Sequence, residues 1–202
     1  MHKEILTQNQ QGLLTVINRF SNEYYMVGGT AIALQIGHRE SSDFDLFKQG
    51  KINTLDIKRT FGDRSAKESI LVERSYEFTF IVNQVKFTFY DFPYKIQANV
   101  DFDDIIKVPD LITLSAMKAF ALGKRAKWKD YVDLYFILQQ YSLNDIITKT
   151  EEIFKNEFNS KLFREQLYYF DDISYAEPVT YKKGFKVSDE TVKQFLTQIA
   201  IS

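Results

Sequence analysis

An α+β fold is what this sequence predicts, with a sheet-bearing first half and a helical second half. Three observations carry that expectation. Between Tyr24 and Phe92, short runs rich in β-branched and aromatic residues recur with turn residues between them. After Asp110 the apolar residues fall at helical spacing instead. Between the two patterns, Asp101–Lys107 followed by Val108-Pro109 reads as a boundary. The expected division is residues 1–107 for the sheet-bearing core and 108–202 for a helical lobe that completes a cleft.

Composition narrows the functions available. A chain of 202 residues is long enough for one well-filled core or two small lobes sharing a cleft. A net charge of −1 excludes a wholly basic nucleic-acid binder, so any such site must be a local patch. The absence of cysteine excludes disulfides, thiolate catalysis and cysteine-ligated zinc, and two histidines are too few for a multi-histidine metal site. Eighteen Phe and twelve Tyr point to a core rich in aromatics rather than to a surface for stacking bases. The stretch MHKEILTQNQQG lacks the apolar core of a signal peptide, and no apolar run reaches the length of a membrane span. Cytoplasmic location, with no membrane partner, is the resulting expectation.

Taken in order, Gln8–Phe20 has its apolar residues on one face of a helix, and Tyr24–Val27 reads as a first buried strand. Gly28-Gly29 breaks that strand, Thr30 is placed to cap a short helix over Ala31–Ile36, and Gly37 ends it. A helix start of this kind leaves backbone N–H groups free for phosphate. After the polar turn His38–Ser42, Asp43–Phe47 reads as a strand. Asp43 and Asp45 then project from one face, and Phe44 and Leu46 from the other. Two adjacent carboxylates repel unless a cation lies between them, and hard oxygen donors suit Mg²⁺ or Mn²⁺. Lys51–Phe61 reads as a surface helix ending at Gly62. Ser69–Arg74, Glu77–Val82 and Val85–Phe92 read as three strands of a meander, with Asn83-Gln84 as a tight hairpin and Pro93 as a stop.

In the second half, Leu111, Leu114, Met117, Lys118 and Ala121 lie along one helical stripe, and Gly123 with the basic run Lys124–Lys127 makes a turn. Further helices are expected at Lys129–Gln140, Leu143–Phe158, Ser160–Phe170 and Asp189–Ile199, the last capped by Ser188, with Asp171–Gly184 irregular. Several features have plain structural readings. His38 shapes a turn, Asp133 pairs with a lysine, Lys118 snorkels past the core, Arg125 and its neighbours are a solvated turn, and Tyr168-Tyr169-Phe170 packs. A glycine pair or an Asp-x-Asp alone is also commonly structural; it is their conjunction around Gly37-His38-Arg39 that points to chemistry.

That conjunction, Gly28-Gly29-Thr30-Ala31-x-Ala33-Leu34-x-x-Gly37-His38-Arg39-x-Ser41-x-Asp43-x-Asp45-Leu46-Phe47, resembles the signature of the AbiEii/AbiGii-type nucleotidyltransferase toxins. Met117-Lys118-Ala119, Arg125 and Lys129-Asp130-x-x-Asp133-Leu134 are similar to that family's second block. The resemblance implies a polymerase-beta-like nucleotidyltransferase core with a mixed sheet, followed by a helical C-terminal lobe. It implies transfer of a nucleotide from an NTP to an acceptor, with tRNA a known kind of acceptor, as the toxin of a toxin–antitoxin or phage-defence system with a cognate antitoxin protein. It places Gly28, Gly29, Thr30, Arg39 and Ser41 at the nucleotide, Asp43 and Asp45 on the metal, and Lys118 and Asp130 in phosphate contact and acid–base or positioning roles.

One departure from the family pattern bears on mechanism. A third carboxylate is expected on a later strand, but the central positions of Val85–Phe92 are Phe87, Thr88 and Phe89. Asp91 lies near the strand end, so the alternatives are Asp91, Asp130 or a site with one metal. Two other functions stay open on the sequence: a catalytically inactive nucleotide-binding module, and a small-molecule nucleotidyltransferase with an acidic acceptor pocket.

Overall fold

Alternation along the strands sorts the first half into two faces. The computed structural model describes residues 1–62, 69–122 and 125–202. Strands β1 (Tyr25–Val27), β2 (Asp43–Lys48), β3 (Ile70–Glu73), β4 (Glu77–Val82) and β5 (Val85–Asp91) form one sheet in the order β1-β2-β5-β4-β3. β2 and β5 are parallel and the other neighbours antiparallel, so the sheet is mixed. Phe44, Leu46, Phe78, Phe80, Phe87 and Phe89 are buried on one face. Asp43, Asp45, Lys86, Thr88 and Thr79 alternate with them and share the other, by the pairs Asp43–Lys86, Asp45–Thr88 and Thr79–Thr88. Asn83 and Gln84 adopt φ of 49° and 65°, the left-handed pair a two-residue hairpin requires.

Helices cover both faces. The segment Gln8–Phe20 is two helices, not one: α1 (Gln8–Gln11), opened by a Thr7/Gln10 capping box, and α2 (Leu14–Asn18), with Gly12 at the break. α3 (Gly28–Ile36) starts directly after β1. α4 (Thr54–Phe61), capped by Asn53, seats Phe61 edge-on against Phe80 and Phe87, with ring centroids 5.0 and 4.9 Å apart. The aromatic residues thus supply much of the core.

The segment expected as a lobe boundary forms a second small sheet. β6 (Val100–Phe102) and β7 (Ile106–Val108) pair as a hairpin turned by Asp103 and Asp104 at φ 51° and 55°, with β7 packed beside β1. Its apolar residues Phe102, Ile106 and Val108 alternate with Asp101 and Lys107 and join the main core.

α5 (Leu111–Leu122), α6 (Trp128–Ile137), α7 (Leu143–Phe154), α8 (Ser160–Gln166) and α9 (Asp189–Ile201) follow. Ser142 and Ser188 cap α7 and α9. α7 stops short of the expected Phe158 because Lys155 turns to φ 50°. Tyr168 and Tyr169 are exposed rather than packed, whereas Phe170 packs on Tyr131. Gly123 and Lys124 of the basic turn lie outside the described residues. The irregular segment 171–184 is a strap back to the first half. It bonds α6's start through Ser174 N–H to Ala126 O (2.9 Å) and Trp128 N–H to Ser174 O (3.0 Å). It bonds the turn before β2 through Glu40 N–H to Thr180 O (2.9 Å) and Lys182 N–H to His38 O (3.0 Å). α3 packs on both α5 and α6, and one hydrophobic core runs through strands and helices.

Candidate active site

A cleft of about 400 Å³ opens over the polar face of the sheet, walled by the start of α3 on one side and by α5 and α6 on another. Asp43 and Asp45 lie side by side on β2 at its floor. Lys86, opposite Asp43 on β5, donates to Asp43 Oδ2 at 2.6 Å. Thr88 lies opposite Asp45 in the strand register. Burial, and then the neighbouring Asp43 charge, raise the Asp45 carboxyl above its ordinary pKa, with Lys86 and Arg125 pulling the other way. For Lys86, burial works against the charge, but the bond to Asp43 and the charges of Asp43, Asp45 and Glu177 together outweigh it and the ammonium's pKa is raised.

The two glycines serve different neighbours. Gly28 has φ 75°, and a Cβ there would stand 2.2 Å from Asp45 Oδ2. A Cβ on Gly29 would stand 2.4 Å from Arg39 Nη2. Gly28 therefore lets the chain close against the aspartate, and Gly29 makes room for a buried guanidinium. Gly28→Ala is expected to cost about 1–2 kcal/mol of stability for the left-handed backbone. It should also push Asp45 aside, so any activity seated on that carboxylate falls by more than the loss of folded protein; a urea midpoint and a specific-activity measurement on the same sample separate the two.

Thr30 does not cap α3. Val27 is the residue before the helix, and it offers no side-chain cap. The Thr30 hydroxyl instead donates to the Asp43 carbonyl and lies 2.7 Å from Ser41 Oγ. Thr30 and Ser41 thus pin the start of β2 against α3, which orients Asp43, while Gly28, Gly29 and Thr30 at the start of α3 line the cleft with no side-chain cap over them.

Arg39, expected at the nucleotide, is held in a buried ion pair in this structure. Its Nε and Nη2 bond Asp133 Oδ1 and Oδ2 at 2.6 and 2.8 Å, and its Nη1 bonds the Glu40 carbonyl at 2.9 Å. Its fork is therefore committed to a buried carboxylate rather than directed to the cleft. Asp133 is fully buried and also meets His38 Nε2 at 2.7 Å and Lys118 Nζ at 2.8 Å. Burial alone would raise the Asp133 pKa, but Arg39, Lys118 and His38 together hold it well below the usual carboxylate range. Burial lowers the His38 pKa despite its bond to Asp133, so its Nε2 carries the proton that the carboxylate accepts. Lys118, on α5, lines the cleft and also bonds Asp130 Oδ1 at 2.6 Å. Burial opposes its charge, yet Asp130 and Asp133 keep its pKa raised.

Asp91 does not face the aspartate pair. It pairs with Lys48 in register, one residue out of phase with Lys86 and Thr88, and accepts from the Gly50 N–H at 2.8 Å. Asp130 does line the cleft, with Oδ2 buried and 3.5 Å from Arg125 Nε. On the rim, Lys127 and Lys129 both pair with Glu177 of the strap, and Lys129 also stands 3.9 Å from Asp43 Oδ2. Burial would raise Glu177, but these two lysines take its pKa down to about 2.

The contacts of Lys86 with Asp43 and of Glu177 with Lys127 and Lys129, and the full set of partners around Asp133, were missed by sequence reasoning. Only the strand register could have found Lys86.

The aspartate pair fits a hard divalent cation by its charge. Burial raises the Asp45 pKa first and the Asp43 charge second, and a cation between the carboxylates would relieve that second cause; two protein carboxylates leave positions for phosphate oxygens and water, as Mg²⁺ prefers. Among the described residues no group of three or more His, Asp or Glu forms a closed metal cage. No helix among them is long and apolar enough to cross a membrane.

Residues 13–179 match the family model described as the nucleotidyl transferase AbiEii toxin of type IV toxin–antitoxin systems. An uncharacterized protein of Aquifex aeolicus is 26% identical over 158 residues, covering 75% of each chain. Among solved structures, the nucleotidyltransferase toxin MenT4 of Mycobacterium tuberculosis superposes with a TM-score of 0.65 at 13% identity, covering 95% of this chain and 80% of that one. JHP933 of Helicobacter pylori does so with a TM-score of 0.60 at 16% identity, covering 97% and 92%. At these identities the structural likeness shows the shared fold, a nucleotidyltransferase core with a mixed sheet and helices.

Proposed function

Since the chain belongs to the AbiEii nucleotidyl transferase toxin family, we propose that it moves a nucleotide from an NTP to an RNA acceptor, tRNA above all, in a reaction that depends on Mg²⁺ or Mn²⁺. The observation that carries this is the placement of Asp43 and Asp45 on the floor of a cleft whose wall is the uncapped start of α3. In the proposed roles, residues 1–107 supply the nucleotidyltransferase core and 108–202 the lobe that closes the cleft. A cognate antitoxin protein belongs to the same reading.

Phosphoryl transfer asks a protein mainly for positioning and charge stabilisation. The N–H groups at Gly28 and Gly29 are placed to hold the terminal phosphates. Asp43 and Asp45 are the ligands for the cation, which when bound supplies neutralisation of the phosphate oxygens. Lys118 presents a fixed positive charge to the cleft, and Asp130 fixes Lys118. The Asp130 oxygen that Lys118 leaves unbonded, Oδ2, is the candidate to accept the acceptor's proton.

The rim supports RNA over an aminoglycoside-like acceptor. Arg125, Lys127, Lys129 and Lys86 are cationic, with Glu177 as the intervening acid, where a polycationic small molecule would call for an acidic pocket. One observation favours a non-catalytic nucleotide-binding module: Thr88, not a carboxylate, faces Asp45.

Incubation of the purified protein with each labelled NTP, Mg²⁺ and total RNA decides among these. RNA labelling is the expected result. NTP binding with no transfer to any acceptor would select the non-catalytic module, and label on a small molecule alone would overturn the RNA acceptor.

A further inference from the structure

The cleft extends well past the aspartates. Across the sheet, Val27 pairs with Asp45, Asp45 with Thr88, and Thr88 with Thr79, so the polar face runs from the start of α3 through β2 and β5 to β4 and β3. Glu77 lies two residues from Thr79 on β4 and also lines the cleft. With strands about 4.8 Å apart and about 3.4 Å per residue, Glu77 lies roughly 12 Å from Asp45. That is too far for a shared cation. It matches the span from an α-phosphate, across a ribose, to the far edge of a base.

The far end has the makings of a base site. A bulge between Ile70 and Val72 turns both Leu71 and Val72 onto the cleft, and Leu71 is 51% exposed there, an apolar platform left open to solvent. Beside it, on the same face of β4, Glu77 and Thr79 offer acceptor atoms. The Thr79 hydroxyl donates to Glu77 Oε1 at 3.1 Å, so its lone pairs are what it presents to the cleft. An ionised carboxylate only accepts.

Resting on the nucleotide-transfer reading above, we infer that the β3–β4 end of the cleft holds the base of the incoming NTP, and that Glu77 selects bases bearing an exocyclic amino group over uracil. Adenine, cytosine and guanine each offer an amino donor to the Glu77 carboxylate. Uracil offers a single N–H between two carbonyl oxygens, which the same carboxylate repels. A site built around a hydrogen bond discriminates because the wrong base sets its own acceptors against the half-buried carboxylate.

The test is equilibrium binding of ATP, CTP, GTP and UTP with Mg²⁺ to the full chain, by calorimetry, in wild type, Glu77→Gln and Glu77→Ala. UTP is expected to bind on the order of tenfold or more weakly than the others, the size of one hydrogen bond to a charged acceptor. Glu77→Gln, which adds a donor, should erase most of that gap, and Glu77→Ala should weaken the three amino-bearing nucleotides toward UTP. Equal binding of all four by the wild type, or a gap unchanged in both variants, overturns this inference and leaves the transfer reading standing. Failure of all four to bind overturns both.

Discussion

Asp45→Ala is expected to lower nucleotidyl transfer by at least about 10²–10³-fold, the usual cost of losing a preorganised group that stabilises transition-state charge. The same change should not lower stability. Because the folded-state pKa of Asp45 is raised, its favourable contribution is present below the unfolded carboxylate pKa and is lost as pH rises through the folded value. At neutral pH and without divalent cation, the ionised group works against the fold, pushed there by burial and by Asp43. The thermal midpoint of the variant under those conditions should therefore equal or exceed that of the wild type. A residue kept for structure would show the reverse, a lower midpoint with residual activity in proportion to folded protein. Asp43→Ala should match it in activity, but it also strips Lys86 of its partner.

Asp133→Ala should do the opposite and damage the fold first. Asp133 is fully buried and neutralises two buried cations, Arg39 and Lys118, while accepting from His38. Its removal leaves those charges without their shared counter-ion, a change that costs about 3–5 kcal/mol. The drop should appear as a lower urea midpoint at an unchanged slope. The pH dependence follows with its sign. A carboxyl held well below its unfolded pKa contributes stability that is present above about pH 4 and is lost as pH falls toward the folded value. The wild type should lose stability on acidification, and Asp133→Ala should lack that portion of the slope. Asp133→Asn, which keeps one acceptor oxygen, should fall between them.

These two aspartates also show what the sequence could and could not disclose. Asp43 and Asp45 were legible because their spacing alone puts them on one strand face, and the alternating phenylalanines fixed which face was the core. The Asn83-Gln84 hairpin and the Ser188 cap were legible for the same local reason. Arg39 was not, since its partner Asp133 lies 94 residues away and nothing local marks a guanidinium for burial. The hairpin at Val100–Val108 was hidden because each strand is three residues long, and its Asp-Asp turn reads equally well as a linker. Gly12 divided one apparent helix into two without disturbing its apolar spacing. Lys86 and Glu77 reach the cleft through register and a sheet crossing, and Glu177 reaches its lysines through the strap 171–184, all of them consequences of tertiary pairing that no periodicity carries.

The central claim is that Asp43 and Asp45 together hold a divalent cation beneath the phosphates. Titration of Mn²⁺ into the protein with saturating NTP, followed by electron paramagnetic resonance, tests it without requiring an acceptor. The account predicts a tightly bound Mn²⁺ in the wild type that is lost in the Asp43→Ala/Asp45→Ala double variant, with the variant still folded by circular dichroism. Undiminished Mn²⁺ binding by that folded variant would contradict it.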